Sequence, residues 1–206
     1  MMRTLVVLSV LVVIAAAAPG DRCCLNTTFS FVLRGTPIAG MNTSTPTIQS
    51  QTQLFDYDYD RMIQRVVVNG SSIFPPSSFG YSVVIYNDFK HSKAYNVQNG
   101  ACTEEPLTAS QSPHCIPDSF TKIDSYTIGQ NGGLKRLSTW SGAVGGDQMI
   151  FDVDENCTPI TMTTIGSGGS FVSSFLITDV KNGLLSSSDA LEIPQACKHG
   201  AGAVGK

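Results

Sequence analysis

The chain has 206 residues and a formal net charge of -3, with 42% hydrophobic and 14% charged residues. Its 13 lysines and arginines form no cluster, which excludes the basic surface that is typical of nucleic-acid binding. This length is sufficient for one domain with a substantial hydrophobic core.

The amino terminus has the layout of a secretory signal peptide. Arg3 precedes an apolar run from Leu5 to Ile14, and alanines at 15–18 come before Pro19. The run is shorter than the roughly 20 apolar residues that a transmembrane helix needs, and no later segment is long enough. We therefore expect a secreted, extracellular protein without a membrane span. Residues 1–18 would be the signal peptide, 19–197 one β domain and 198–206 a flexible tail.

Short alternating runs separated by turn residues predict an all-β domain. In the run LFDYDYDRMIQRVVV at 54–68, aromatic residues alternate with aspartates and a β-branched run follows, which predicts a hairpin turning near 59–62. Asn69-Gly70 and Asn99-Gly100 predict turns, the polar segment 102–118 predicts an irregular loop, and the best helix candidate is the short run 184–191. Other strands are expected to end at Gly35 and to lie at 79–86, 90–97, 125–128, 134–140, 148–154, 158–165 and 171–180.

The six cysteines form an even set, which in a secreted chain predicts disulfides. Fifteen pairings are open, and three scattered histidines without a C-x-x-C motif argue against zinc. Four N-x-S/T sequons predict glycosylation on exposed segments. The cysteines are Cys23, Cys24, Cys102, Cys115, Cys157 and Cys197, and the sequons begin at Asn26, Asn42, Asn69 and Asn156.

Two acidic clusters are candidate calcium ligands, because Ca²⁺ takes carboxylate oxygens. The first imitates the start of an EF-hand loop, but Arg61 and Val67 stand where that loop needs Gly and Glu. We expect its three carboxylates to share a solvent face, where a divalent ion or Arg61 and Arg65 would relieve their repulsion. The clusters are Asp56, Asp58 and Asp60, and Asp152, Asp154 and Glu155.

Catalytic motifs are absent from the sequence. There is no G-x-S-x-G elbow, H-E-x-x-H motif or P-loop, and the Gly-Ser run at 166–170 is typical of a flexible turn. Asp152 and Asp154 could be a glycosidase pair, but two carboxylates in one strand are more often a solvated face. We therefore expect no enzymatic activity.

An ordered series of residues runs from Leu54 to Cys197 and resembles the landmarks of the ependymin family of secreted glycoproteins. The chain departs from the family at Cys23-Cys24 and in the additional Cys115. The landmarks are Tyr57-Asp58, Ile63-x-Arg65-Val66, Cys102 with Leu107, Ile116-Pro117 with Phe120, Tyr126–Gly129, Trp140, Cys157-x-Pro159, Phe175–Gly183, Asp189, Pro194 and Cys197.

This resemblance implies two antiparallel sheets that form an open half-barrel around a deep apolar pocket, similar to bacterial lipoprotein carriers. It implies that an amino-terminal cysteine pairs with Cys157 and that Cys102 pairs with Cys197, which leaves Cys115 for the other member of Cys23-Cys24. The implied ligand is apolar, a lipid or fatty acid, with weak calcium binding and a role in cell-matrix adhesion. A homodimer is a candidate assembly without an identified interface. The alternative is an extracellular matrix or signalling interaction protein whose sheets enclose no cavity.

Overall fold

The computed structural model describes residues 23–76, 80–111, 114–129 and 133–198. The predicted signal peptide at 1–18, the start of the strand predicted at 79–86, and residues 199–206 of the predicted tail lie outside these ranges. No helix in the described ranges is long and apolar enough to cross a membrane.

Twelve strands account for most of the described chain, which confirms the all-β prediction with minor helix. Helical structure is limited to two 3₁₀ turns, Ser167–Gly169 and Ser188–Leu191, and to α1 at Gln195–Lys198. The strands are β1 Thr28–Gly35, β2 Ile38–Ala39, β3 Thr47–Asp58, β4 Ile63–Phe74, β5 Gly80–Asp88, β6 Lys93–Gln98, β7 Ala101–Pro106, β8 Thr121–Ile128, β9 Lys135–Val144, β10 Asp147–Asp154, β11 Pro159–Ile165 and β12 Phe171–Asn182.

All twelve strands belong to one antiparallel sheet, whose order is β7-β6-β5-β4-β3-β1-β12-β11-β10-β9-β8, with β2 pairing β12 and β3. The expectation of two sheets is corrected here, because β1 pairs with both β3 and β12. Leu33 lies opposite Gln53 on one side and Ile177 on the other. The amino-terminal strand thus joins the two halves of the sheet, β3–β7 and β8–β12.

One face of this sheet carries the hydrophobic core, and we call it the core face. Phe55 of β3 lies opposite Phe31 of β1 and Val66 of β4, and all three side chains are at most 1% exposed. Phe175, Met162 and Phe151 continue the same face across β12, β11 and β10. In the described part of the chain no long helix covers these side chains. The buried residues of both halves belong to one cluster, which also includes residues from the segments that connect the strands.

One end of the core face is closed by the amino terminus and by the segment that connects β7 to β8. Leu25, Ile116 and Phe120 pack into the core cluster from these two segments. Backbone hydrogen bonds from Leu25 N to His114 O and from Ile116 N to Cys23 O hold the segments together at 2.8 Å each. The connecting segment therefore has a structural role.

Three disulfides confirm the expected pairing. Cys23 bonds Cys157, Cys24 bonds Cys115, and Cys102 bonds Cys197. The first two attach the adjacent amino-terminal cysteines to two different loops at the closed end of the core.

The opposite face of β3–β7 is covered by the carboxy-terminal strap, which we define as residues 184–198. Leu191 of the strap is fully buried, and Ile193 and Cys197 pack against Tyr86 and Tyr95. The fragment predicted as the best helix, 184–191, forms only the 3₁₀ turn at its end. The strap gives this half of the sheet a second, smaller core on its outer face.

The predicted hairpin at 54–68 is confirmed, since β3 and β4 pair across the turn at 59–62. The turn predicted at Asn69-Gly70 is wrong, because β4 continues to Phe74. Tyr81 explains this, since its ring lies over Gly70, where an added Cβ would be 2.6 Å from it. The irregular loop expected from Cys102 is also wrong in its first part, which forms β7 against β6.

Candidate functional site

The structure separates the three acidic residues of the first candidate calcium cluster. Asp56 is fully buried, Asp58 accepts a hydrogen bond from Arg61 N at 2.9 Å, and Asp60 lies exposed in the turn. The solvent face expected for all three is therefore wrong for Asp56, which points to the outer face of β3, under the strap.

Asp56 is the centre of a buried hydrogen-bond network that fixes the strap. Its Oδ1 accepts Ser30 Oγ at 2.6 Å, and its Oδ2 accepts Arg65 Nη1 at 2.9 Å and Ser186 Oγ at 2.6 Å. Ser30 Oγ in turn accepts Leu185 N at 2.9 Å. Arg65 thus compensates the negative charge of Asp56, which is the role expected of either an arginine or a divalent ion. The network also links β1, β3 and β4 to the strap.

In the second acidic cluster, two carboxylates already have protein donors. Thr139 and Thr161 donate their hydroxyl groups to Asp152. Asp154 is 6% exposed and accepts Thr158 N at 2.7 Å and Asn156 N at 3.0 Å, with Lys135 Nζ at 3.4 Å. Glu155 is exposed in the turn. Asp154 therefore caps the turn that leads to β11.

Within the described ranges, no three acidic, histidine or cysteine side chains are grouped so that they could hold a metal ion. The residues that remain exposed, Asp60 and Glu155, belong to different turns. Calcium binding stays a prediction.

The four sequon asparagines are all exposed. Asn26 precedes β1, Asn42 lies in a turn, Asn69 lies within β4, and Asn156 directly precedes the buried, disulfide-bonded Cys157. Glycosylation stays a prediction at each, with access open at all four side chains.

The solvent exposure of apolar side chains on the core face increases from the middle strands to the flanking strands. Phe31 and Phe55 on β1 and β3 are at most 1% exposed, whereas Val83 and Ile85 on β5 and Trp140 on β9 are only half-buried, although they pack against the same cluster. The indole Nε1 of Trp140 is buried without a hydrogen-bond partner among the described residues. The flanking strands thus present apolar surface that the protein itself does not fully cover.

A polar row interrupts this apolar face, and we call it the glutamine row: Gln49, Gln51 and Gln53 of β3 together with Tyr81 of β5. Gln53 Nε2 donates to Gln51 Oε1 at 2.6 Å, Gln51 Nε2 donates to Tyr81 Oη at 2.7 Å, and Tyr81 Oη donates to Gln49 Oε1 at 3.0 Å. Gln51 and Gln53 are 6% and 5% exposed. Buried amides are normally hydrogen-bonded, and these are held in one directed chain.

Two glycines flank this row, and aromatic rings occupy the space beside them. Gln51 lies between Gly70 and Gly35 in the sheet register. The ring of Tyr81 covers Gly70, and the ring of Phe175 covers Gly35. Burial raises the pKa of the Tyr81 phenol, while the hydrogen bond from Gln51 opposes this shift, so Tyr81 is a neutral donor at physiological pH.

The glutamine row is not among the site residues predicted from the sequence, although the sequence contains a signal for it. Gln49, Gln51 and Gln53 continue, in phase, the same period of two as Phe55 and Tyr57. Residues in phase with a buried aromatic run lie on the buried face whatever their polarity, so the row could have been predicted from this phase alone.

An open groove of about 550 Å³ lies where β1 begins and β12 ends. Its lining consists of uncharged and mostly polar residues, Leu25, Asn26, Thr27, Thr28, Asn182 and Gly183. The lining of this groove differs from the apolar lining of the deep pocket that the family resemblance implies, and that pocket stays a prediction.

Comparison with known proteins gives one result for the family. No curated protein shows significant similarity to the chain. The family model described as Ependymin matches residues 77–197, which is more than half of the chain and includes β5–β12, the strap as far as Cys197 and four of the six cysteines. The chain therefore belongs to the ependymin family.

Proposed function

We propose that the protein is a secreted carrier that holds the hydrocarbon part of a lipid or fatty acid against the accessible part of its core face. Membership of the ependymin family supports the role of a secreted glycoprotein and is consistent with a protein that is not an enzyme. Three disulfides are consistent with an extracellular protein.

One observation supports the carrier function. The core face is buried on its middle strands, whereas its side chains on the flanking strands are only half-buried. Val83 and Ile85 on one side and Trp140 on the other belong to the core cluster and still contact solvent. Each buried methylene contributes about 0.8 kcal/mol, so a chain of a dozen carbons that is partly enclosed reaches micromolar affinity after the costs of association.

The second candidate is an interaction protein of the extracellular matrix, or a secreted signal, and a different observation favours it. Phe29, Phe31, Phe55 and Tyr57 are at most 1% exposed, so the middle of the core is filled by the protein's own side chains. Weak calcium binding and adhesion to the extracellular matrix belong to the carrier proposal as accessory properties, and a homodimer is a candidate assembly for either function.

Native mass spectrometry of protein purified from its own source separates the two candidates. A carrier retains an adduct of lipid mass, which organic extraction removes without unfolding the protein. A protein of the second kind shows only polypeptide and glycan mass, and it binds no added dodecyl ligand after extraction. That second result would refute carriage.

A further inference from the structure

The strongest unassigned feature is the glutamine row, because it joins three amides and a phenol in one chain of hydrogen bonds on the core face. The same face holds one other buried amide pair, Gln64 and Asn87. Gln51 and Gln53 are more than nine-tenths buried and hydrogen-bond to each other and to Tyr81. A row that served the fold alone would be costly, since an apolar side chain at these positions needs no partner. We therefore consider whether the row recognises a polar group of a ligand.

The hydrogen-bond count of the row shows what it can still bind. Among described residues, the chain of bonds uses one N–H of Gln53 and one of Gln51, and it leaves the second N–H of each amide and Oε1 of Gln53 without a partner. The row therefore offers donors and an acceptor together. A hydroxyl or amide group matches both, whereas a carboxylate only accepts.

The surroundings of the row carry no positive charge. On the seven central strands, β5-β4-β3-β1-β12-β11-β10, the described core-face positions hold no lysine or arginine. Arg65 points to the opposite face, where it pairs with Asp56. An ionised ligand placed beside Gln51 would be a buried charge without a counterion, which is strongly unfavourable.

We infer that the glutamine row selects the headgroup of the ligand, and that the protein carries amphiphiles with a neutral, hydroxyl- or amide-bearing headgroup in preference to ionised fatty acids. This inference rests on the proposed carrier function. It adds the class of ligand and the residues that choose it. Gln51 and Gln53 hold the headgroup, Tyr81 fixes their orientation, and the half-buried Val83 and Ile85 contact the hydrocarbon chain.

The test compares two ligands with the same chain, dodecan-1-ol and dodecanoate, at pH 8 on the full glycosylated protein. Each displaces the neutral fluorophore Nile red, and the displacement curves give the two affinities. We expect the alcohol to bind about tenfold more tightly or better, because the carboxylate is ionised at this pH. Equal affinities, or tighter binding of dodecanoate, would overturn the inference while leaving the carrier function intact.

Two variants separate headgroup recognition from the general preference of apolar sites for an alcohol. Tyr81→Phe keeps the ring over Gly70 and removes only the hydroxyl that orients Gln51. It should weaken dodecan-1-ol about fivefold, in line with the loss of one hydrogen bond, and leave dodecanoate unchanged. Tyr95→Phe, on the outer face, is the matched control and should change neither.

The outcomes assign failure to one proposal or the other. Equal weakening of both ligands by Tyr81→Phe, or no change in either, contradicts headgroup selection. If correctly folded wild-type protein takes up neither Nile red nor either ligand, the carrier function itself is refuted and the inference falls with it.

Discussion

Replacing Asp56 with asparagine tests whether the buried network holds the strap. The substitution keeps the shape of the side chain but removes the charge that faces Arg65 and turns one acceptor oxygen into a donor. Breaking one partner of a buried ion pair costs about 3–5 kcal/mol, and the 19% exposure of the Arg65 side chain places this pair near the lower limit. We therefore expect the free energy of unfolding to fall by about 3 kcal/mol.

Guanidinium denaturation with the disulfides intact measures this change, with the slope of the transition checked for constancy. Asp58→Asn is the matched control, because Asp58 is only partly buried and its bond to Arg61 N survives in an asparagine; it should cost less than about 0.5 kcal/mol. Combining Asp56→Asn with Arg65→Met should cost less than the sum of the two single changes. A loss below 1 kcal/mol for Asp56→Asn would refute the account of the network.

Three further predictions concern the disulfide of the strap, the candidate calcium ligands and a buried phenol. Replacing both Cys102 and Cys197 with serine opens a loop of 95 residues and should lower the free energy of unfolding by up to about 4–5 kcal/mol. The same denaturation experiment measures this change, and a loss under about 1 kcal/mol would contradict the prediction. Calorimetric titration with Ca²⁺ should give a dissociation constant of roughly 10⁻⁴ to 10⁻³ M. The double variant Asp60→Asn, Glu155→Gln should bind Ca²⁺ more weakly. Submicromolar binding that the two substitutions leave unchanged would exclude both residues as ligands. Burial raises the pKa of Tyr57 above its usual value, so the unfolded chain releases this proton first and stability should fall as pH rises above about 10. Tyr57→Phe should flatten that fall, and an unchanged slope would show that other groups cause it.

Local alternation predicted most of the strands, because a period of two identifies a strand without knowledge of its neighbours. The hairpin that turns at 59–62 is an example, since both of its strands were evident from their own residues. The disulfide pairing could not come from spacing, which left fifteen arrangements open, and only the resemblance to a family narrowed it.

The errors arose where distant residues decide the local structure. Asn69-Gly70 favours a turn by itself, but the ring of Tyr81 from the neighbouring strand shields Gly70 and keeps β4 extended. Asp56 looked solvated because its partners, Ser30 and Ser186, lie 26 and 130 residues away. A local sequence pattern contains no information about contacts between residues so far apart in the chain.

The strap has a consequence for how the protein is made. Its disulfide joins Cys197 to Cys102, so the outer face of the sheet cannot be sealed until nearly all the described chain has been synthesised. A nascent chain that stopped before Cys197 would leave Tyr86 and Tyr95 uncovered and one thiol unpaired. In the secreted protein that we propose, the quality control of the secretory pathway would retain such a product, so the Cys102–Cys197 bond would distinguish complete from incomplete chains.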